Sequence, residues 1–155
     1  MKTFLIKTAS LLAMVLLLGG CARGEQARPA DLVAPAQGSK DFGSLRVHYN
    51  ALPTSSISDA MASQYDVVKD PSTALVFVAL RQIKGDEEEN AKGSVTATAY
   101  DLQGARQKVN FKPVDIGEYT DHIGVVTVSP RNTYRFELKV AADGRTKALE
   151  FQRNF

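Results

Sequence analysis

Two histidines, His48 and His122, are the strongest candidates in this sequence to bind a transition metal. A copper or zinc site requires three or four ligands of suitable type, so a carboxylate such as Asp66 or Asp121 would have to complete the set. No His-x-His or His-x-x-x-His spacing brings two imidazoles together locally. We therefore expect no metal centre and no cofactor unless the fold itself brings His48 and His122 together.

Other reactive residue types lack the spacing that their chemistry needs. The acidic run Asp86–Glu89 offers oxygen ligands, but it has neither the alternating acids nor the glycine of a calcium loop. Ser55, Ser56 and Ser58 follow His48 closely, yet a serine nucleophile needs a base held by a third group, and no Gly-x-Ser-x-Gly elbow is present. The sequence thus predicts a protein that is not an enzyme. It predicts a solvated hairpin tip at the acidic run.

Cys21 is the single cysteine of the chain, and it ends the first apolar segment. Lys2 and Lys7 precede an uncharged run over residues 8–20, which is shorter than the roughly 20 apolar residues that span a bilayer. A basic start, a short apolar run and small residues before a cut site are typical of a secretory signal. Residues 1–20 are therefore predicted to be a signal peptide that is removed in front of Cys21.

The four residues Leu18-Gly19-Gly20-Cys21 resemble the lipobox of bacterial lipoproteins, which has an aliphatic residue, two small residues and a cysteine. The resemblance implies diacylglyceryl transfer to the Cys21 sulfur, cleavage, and acylation of the new amine with a fatty acid such as palmitate. Several acyl chains would hold the protein on a lipid bilayer without spanning it. Ala22 stands where an aspartate would be associated with inner-membrane retention. The resemblance therefore implies the periplasmic face of the outer membrane.

Composition after cleavage argues against a nucleic-acid partner. The chain has 19 basic and 17 acidic residues, and loss of Lys2 and Lys7 leaves both numbers at 17. A neutral chain without a basic stripe offers little to phosphates. Residues 21–40 are rich in alanine, proline and charge, which predicts a lipidated N-terminus followed by a flexible tether. The remaining residues, 41–155, are predicted to form one domain.

Alternating apolar and polar residues predict an all-β domain. Leu45, Val47 and Tyr49 alternate with polar residues, and this period of two indicates a half-buried strand. Six further segments have strand character: residues 74–80, 94–100, 109–111, 119–128, 134–140 and 149–151. One short helix is predicted at residues 58–65, capped by Ser58. Seven strands with short turns favour an antiparallel immunoglobulin-like β-sandwich, with a small closed barrel as the alternative.

The segment Val47-His48-Tyr49-Asn50-Ala51 resembles the first strand of an uncharacterised family of small exported bacterial proteins, a domain of unknown function. Phe42-Gly43 precedes the shared segment, and Thr54-Ser55, Tyr65, Ile123-Gly124 and the final Phe155 follow it. Asp66 stands where family members usually have a glycine. The resemblance covers about residues 42–155. It implies export and a β-rich domain, and it brings no catalytic residues.

A polar face at Arg46, His48 and Asn50, continued by Thr54 and Ser55, is the candidate surface patch. It could contact a partner protein or another envelope component. Alternatively, Asn50 and Thr54 could bond to the backbone of the adjoining turn and hold it. The predicted function is therefore a membrane-anchored periplasmic lipoprotein that acts as a non-enzymatic binding or scaffolding module. The alternative is a periplasmic domain that handles copper or zinc through His48 and His122.

Overall fold

The computed structural model describes residues 38–155. The predicted signal peptide, the lipidation site Cys21 and most of the predicted tether lie outside the described residues. Ten strands are found in the described part: β1 (Gly38–Phe42), β2 (Leu45–Pro53), β3 (Thr73–Lys84), β4 (Glu87–Asn90), β5 (Ser94–Tyr100), β6 (Arg106–Val109), β7 (Phe111–Ile116), β8 (Tyr119–Thr127), β9 (Thr133–Ala142) and β10 (Arg145–Asn154). A 3-10 helix (Thr54–Ser56) and the helix α1 (Asp59–Tyr65) connect β2 to β3. No helix among residues 38–155 has the length and apolar character needed to cross a membrane.

The strands form two antiparallel sheets. Sheet A has the order β1-β2-β3-β8-β7, with β4 paired to the far end of β3, and sheet B has the order β10-β9-β5-β6. Buried apolar residues from both sheets make one core, in which the Phe136 and Phe151 rings stack at 4.9 Å. The Tyr49 ring of sheet A lies 4.8 Å from the Phe151 ring of sheet B. The two sheets therefore pack through their apolar inner faces, as the period-two patterns require.

The prediction of a mostly β domain with one short helix is confirmed, but the described residues contain ten strands rather than seven. β1 was missed because Gly38–Phe42 has a single large apolar residue and falls partly in the predicted tether. β4 was missed because Glu87–Asn90 is wholly polar, and only its pairing, Glu88 opposite Ile83, makes it a strand. The segment from residue 106 to residue 116 is divided at Asn110 into β6 and β7, which belong to different sheets.

Local signals account for α1. The Ser58 side chain accepts a hydrogen bond from the Met61 amide at 3.1 Å, as an N-cap residue does. The helix ends at Tyr65, and the C-cap residue Asp66 adopts the left-handed conformation with φ of 51°. The buried residues Ala62 and Tyr65 face sheet A. They belong to a second apolar cluster on its outer face, together with Ile57, Val67, Leu75 and Ile123.

Candidate functional site

The register of sheet A places the two histidines on opposite faces. His48 is opposite Ala79 and His122 is opposite Val78, and adjacent residues of a strand point to opposite sides. His122 is buried, and its Nδ1 atom has no hydrogen-bond partner among the described residues. Because the sheet lies between the two imidazoles, one ion cannot bind both. Within residues 38–155, no group of three or more histidine, cysteine, aspartate or glutamate residues is placed to hold a metal.

His48 belongs to a charged cluster on the outer face of sheet A, which we call the Glu88 cluster (Asp41, Arg46, His48 and Glu88). One Glu88 carboxylate oxygen accepts from Arg46 Nη1 and the other lies against His48 Nε2, both at 2.8 Å. Arg46 also donates from Nε to Asp41 at 2.6 Å. The hydrogen bond from Arg46, followed by that from His48, holds the pKa of Glu88 below its ordinary value. The side-chain contacts of the Glu88 cluster therefore connect β4 and β1 to β2.

A second, more buried cluster lies alongside and contains Tyr65, Arg81, Tyr119 and Asp121; we call it the Asp121 cluster. Arg81 Nη2 donates to Asp121 Oδ1 at 2.8 Å, and the Tyr65 hydroxyl donates to Oδ2 at 3.3 Å. The Arg81 guanidinium lies 4.5 Å from the centre of the Tyr119 ring. Burial, and then the negative charge of Asp121, raise the pKa of Tyr65 to about 12. The neutral Tyr65 hydroxyl therefore joins α1 to sheet A as a hydrogen-bond donor.

The five residues of the predicted surface patch lie in four different surroundings. Arg46 and His48 lie in the Glu88 cluster, and Ser55 is exposed. Asn50 is buried, and its Oδ1 accepts from Nε and Nη2 of Arg153, both at 3.1 Å. This contact joins β2 of sheet A to β10 of sheet B.

Thr54, the remaining patch residue, has a structural role. It is fully buried, and its Oγ1 accepts from the Asp70 amide at 2.9 Å and donates to the Asp70 carbonyl at 2.8 Å. These bonds hold the two ends of the connection that carries α1. Thr54 therefore bonds to the backbone of the adjoining connection, which is the alternative that the sequence predicts for this residue.

The outer face of sheet A also contains a pocket that sequence reasoning missed. It has a volume of about 190 Å³, and its lining residues are Asn50, Leu52, Met61, Tyr65, Leu75 and Phe77. Residues 74–80 are apolar at both parities, which indicates that both faces of β3 require a cover. On the outer face the cover is α1, a helix of 7 residues, and it leaves Phe77 and Leu52 only partly buried. A second, polar pocket of about 490 Å³ lies beside β4 and Tyr119.

Comparisons with known proteins find one matching family model and solved structures with a similar fold. The family model described as "Domain of unknown function (DUF4426)" matches residues 39–155. A crystal structure of a DUF4426 family protein from Pseudomonas aeruginosa has 26% sequence identity and a TM-score of 0.64, with 77% of this chain and 94% of that chain covered. A copper-bound variant of FetP from uropathogenic Escherichia coli strain F11 has 9% identity and a TM-score of 0.55, with 79% of this chain and 96% of that chain covered. No curated protein matches the chain in sequence.

Proposed function

Because this chain belongs to the DUF4426 family, which is defined by a domain of unknown function, we propose that it is a lipid-anchored, non-enzymatic binding module of the bacterial envelope. The lipobox at Leu18-Gly19-Gly20-Cys21 supports the anchor. Acylated Cys21 would hold the protein on the periplasmic face of the outer membrane, and residues beyond it would link the lipid to the domain. The binding partner would be a protein or another component of the envelope.

The strand order supports an immunoglobulin-like sandwich as the scaffold of this module. The order β2-β3-β8-β7 facing β10-β9-β5-β6 corresponds to strands A-B-E-D facing G-F-C-C′ of that fold. β1 extends one edge of sheet A, and β4 adds a short strand at the end of β3. Immunoglobulin-like sandwiches occur in proteins with many different functions, so the fold does not identify the function of this domain. The function has to be argued from a particular surface.

The pocket on the outer face of sheet A is the observation that carries the proposal. Its wall is mostly apolar, and Asn50 and Tyr65 are the residues of its lining that carry a polar group, which is the usual composition of a binding site. Its volume of about 190 Å³ is smaller than the roughly 300 Å³ at which small-molecule sites begin. A pocket of this size suits one or two apolar side chains of a partner better than a complete cofactor.

A function in handling copper or zinc has less support than a binding module. FetP is described as copper-bound, but an identity of 9% carries only the fold to this chain. His48 and His122 lie on opposite faces of sheet A, and His48 is engaged with Glu88. We therefore do not extend the copper of FetP to this protein.

The anchor is tested by labelling cells with palmitate. The wild-type chain should incorporate the label and sediment with outer membranes, since the Cys21 sulfur is the predicted acceptor. Cys21→Ala should lose both the label and the membrane attachment. Label that persists on Cys21→Ala would contradict the anchor.

The binding surface is tested with a photo-crosslinking amino acid placed at Met61, which lines the pocket. The control position is Thr96, an exposed residue of sheet B. We expect one reproducible adduct in intact cells from position 61, absent from position 96, and lost when Leu52→Gln makes the pocket wall polar. Equal adducts at the two positions, or an adduct that survives Leu52→Gln, would count against this surface.

A further inference from the structure

The described domain contains as many basic as acidic residues, but the two charges are distributed unevenly. Three of the acidic residues, Glu87, Glu88 and Glu89, follow one another in β4 of sheet A. Sheet B has the opposite balance, since its strands contain seven basic residues and two acidic ones. The neutral total that the sequence predicts therefore does not describe sheet B.

The outer face of sheet B carries most of this basic character. The odd-numbered residues of β5 are buried in the core, so its even-numbered residues point outward, and the residues paired with these share the same face. This register places four basic and two acidic residues there: Arg106, Lys108, Arg135, Lys139, Glu137 and Glu150.

Arg135 engages both acidic residues of this face. Its Nη1 atom pairs with Glu137 and lies 3.1 Å from Glu150 Oε2. Its guanidinium also lies 4.5 Å from the centre of the Tyr100 ring. One arginine therefore holds the two carboxylates that the strands of sheet B supply, and the other basic residues are left without them.

Arg106, Lys108 and Lys139 are exposed, and none of them forms an ion pair with any residue from 38 to 155. Lys40 of β1 adds a fourth unpaired cation within this part of the chain, because it lines the same pocket as Lys139 and Ala148. We call these four residues the basic face (Lys40, Arg106, Lys108 and Lys139).

The cations of the basic face are spread across the sheet rather than gathered at one point. Arg106 and Lys108 are on β6 at one edge of sheet B, and Lys139 is on β9, two strands away. Neighbouring strands are about 4.8 Å apart, so about 10 Å separates these positions. A single small anion cannot contact all of them, whereas a plane that contains many phosphates can.

We propose that the basic face lies on an anionic phospholipid surface. Each basic residue near such a surface strengthens binding about fivefold. In this orientation the pocket on the outer face of sheet A, on the opposite side of the domain, is directed away from the bilayer and toward a partner. The inference rests on the proposed function in one respect, which is that acylated Cys21 keeps the domain near a bilayer.

The experiment uses the mature chain with Cys21→Ala, so that no acyl chain contributes to binding. At low salt it should sediment with phosphatidylcholine vesicles only when they also contain phosphatidylglycerol. Arg106→Gln combined with Lys108→Gln should weaken this binding about 25-fold. The matched control, Lys69→Gln combined with Lys112→Gln, removes the same charge from residues that pair with exposed carboxylates on the side of sheet A. It should bind like the parent, and unchanged circular-dichroism spectra show that both variants are folded.

A fluorescent dye reports the orientation, because Cys21→Ala leaves the chain without a cysteine. A polarity-sensitive dye attached through Thr96→Cys, on the outer face of sheet B, should shift its emission on vesicles that contain phosphatidylglycerol. The same dye attached through Val68→Cys, where the native side chain is 85% exposed after α1, should not shift.

Three outcomes overturn the inference: equal binding to the two kinds of vesicle, equal losses in the two double variants, or an emission shift at position 68 and not at position 96. If the expected vesicle binding is found but Cys21→Ala keeps its palmitate label in cells, the inference stands and the proposed anchor fails. Loss of the label in Cys21→Ala without any vesicle binding retains the anchor and removes the basic face from the bilayer.

Discussion

Glu88 and Asp121 carry negative charge on the outer face of sheet A, and each holds an arginine that a neighbouring strand places beside it. The two pairs differ in burial. The Arg81 and Asp121 side chains are 11% and 7% exposed, whereas those of Arg46 and Glu88 are 33% and 30% exposed. Water screens the second pair, so the loss of one partner should matter much more at Asp121 than at Glu88.

Asp121→Asn should lower the free energy of unfolding by about 3 kcal/mol, because Arg81 would keep its buried charge without a carboxylate partner. Urea denaturation at neutral pH measures the change. Asp59→Asn is the matched control, since Asp59 pairs with Lys69 at 2.8 Å but its side chain is 94% exposed. The control variant should lose much less free energy of unfolding. Similar losses in the two variants would show that the Arg81–Asp121 pair is not stabilising.

Glu88→Gln should show a pH dependence whose sign follows from its pKa. The pKa of Glu88 is held below its ordinary value of 4.5 in the folded protein, chiefly by Arg46. Its carboxylate therefore stabilises the fold above that value, and the contribution is lost as pH falls through the folded pKa. We expect Glu88→Gln to lower the urea midpoint at neutral pH and to match the wild type under acid conditions.

Glu87→Gln, on the neighbouring exposed residue of β4, is the control for this pH series. It should shift the urea midpoint little at any pH. A Glu88→Gln difference that stays constant from neutral to acid pH would contradict the proposed hydrogen bonds to Arg46 and His48.

At the scale of elements, the connection between β2 and β3 distinguishes the outer face of sheet A from that of sheet B. It contains the 3-10 helix and α1, and it covers apolar residues that would otherwise face water. The helix and its Ser58 cap could be predicted because both are signals within a few residues. The sequence left two roles open for Thr54, because its partner Asp70 is 16 positions away and approaches Thr54 only when the connection folds back.

Thr54→Val should lower the free energy of unfolding by about 2 kcal/mol, because the shape is kept while the Asp70 amide loses its acceptor. Thr54 is fully buried, so water cannot replace the bond. The neighbouring Ser55→Ala is the control, since Ser55 is exposed and should change stability little. Hydrogen exchange at the Asp70 amide should quicken in Thr54→Val alone. Protection that persists there would refute the assigned acceptor.

At the scale of the whole molecule, the sequence predicts the strands in which apolar and polar residues alternate. It does not predict the features that arise only when strands pair. β9 was predicted because Tyr134, Phe136 and Leu138 fill the core from one side of the strand. β4 has no such pattern, and it forms because β3 offers it an edge. The separation of His48 from His122 likewise depends on a register offset of one residue across β3, which composition and spacing do not contain. The pocket depends on how much of sheet A α1 covers, which is also a property of the assembled fold.

Gly124→Ala tests how closely the two sheets meet. A Cβ atom on Gly124 would lie 2.5 Å from Val109 Cγ1 and 3.3 Å from the Asn110 carbonyl oxygen, where the chain crosses from sheet B to sheet A. The neighbouring strands must shift to admit it, so we expect a loss of about 2 kcal/mol in the free energy of unfolding. Val125→Thr, on the half-exposed neighbouring residue, should change stability by less than about 0.5 kcal/mol.

Val109→Ala supplies the decisive comparison, because it removes the methyl group that the new Cβ would strike. In the wild-type background Val109→Ala should destabilise the protein, since Val109 is buried in the core. Combined with Gly124→Ala, its cost should be smaller, because the alanine methyl at position 124 then occupies part of the vacated space. Urea denaturation of the four proteins gives the coupling energy between the two sites. Additive losses would show that the sheets do not approach each other at Gly124 as closely as the fold requires.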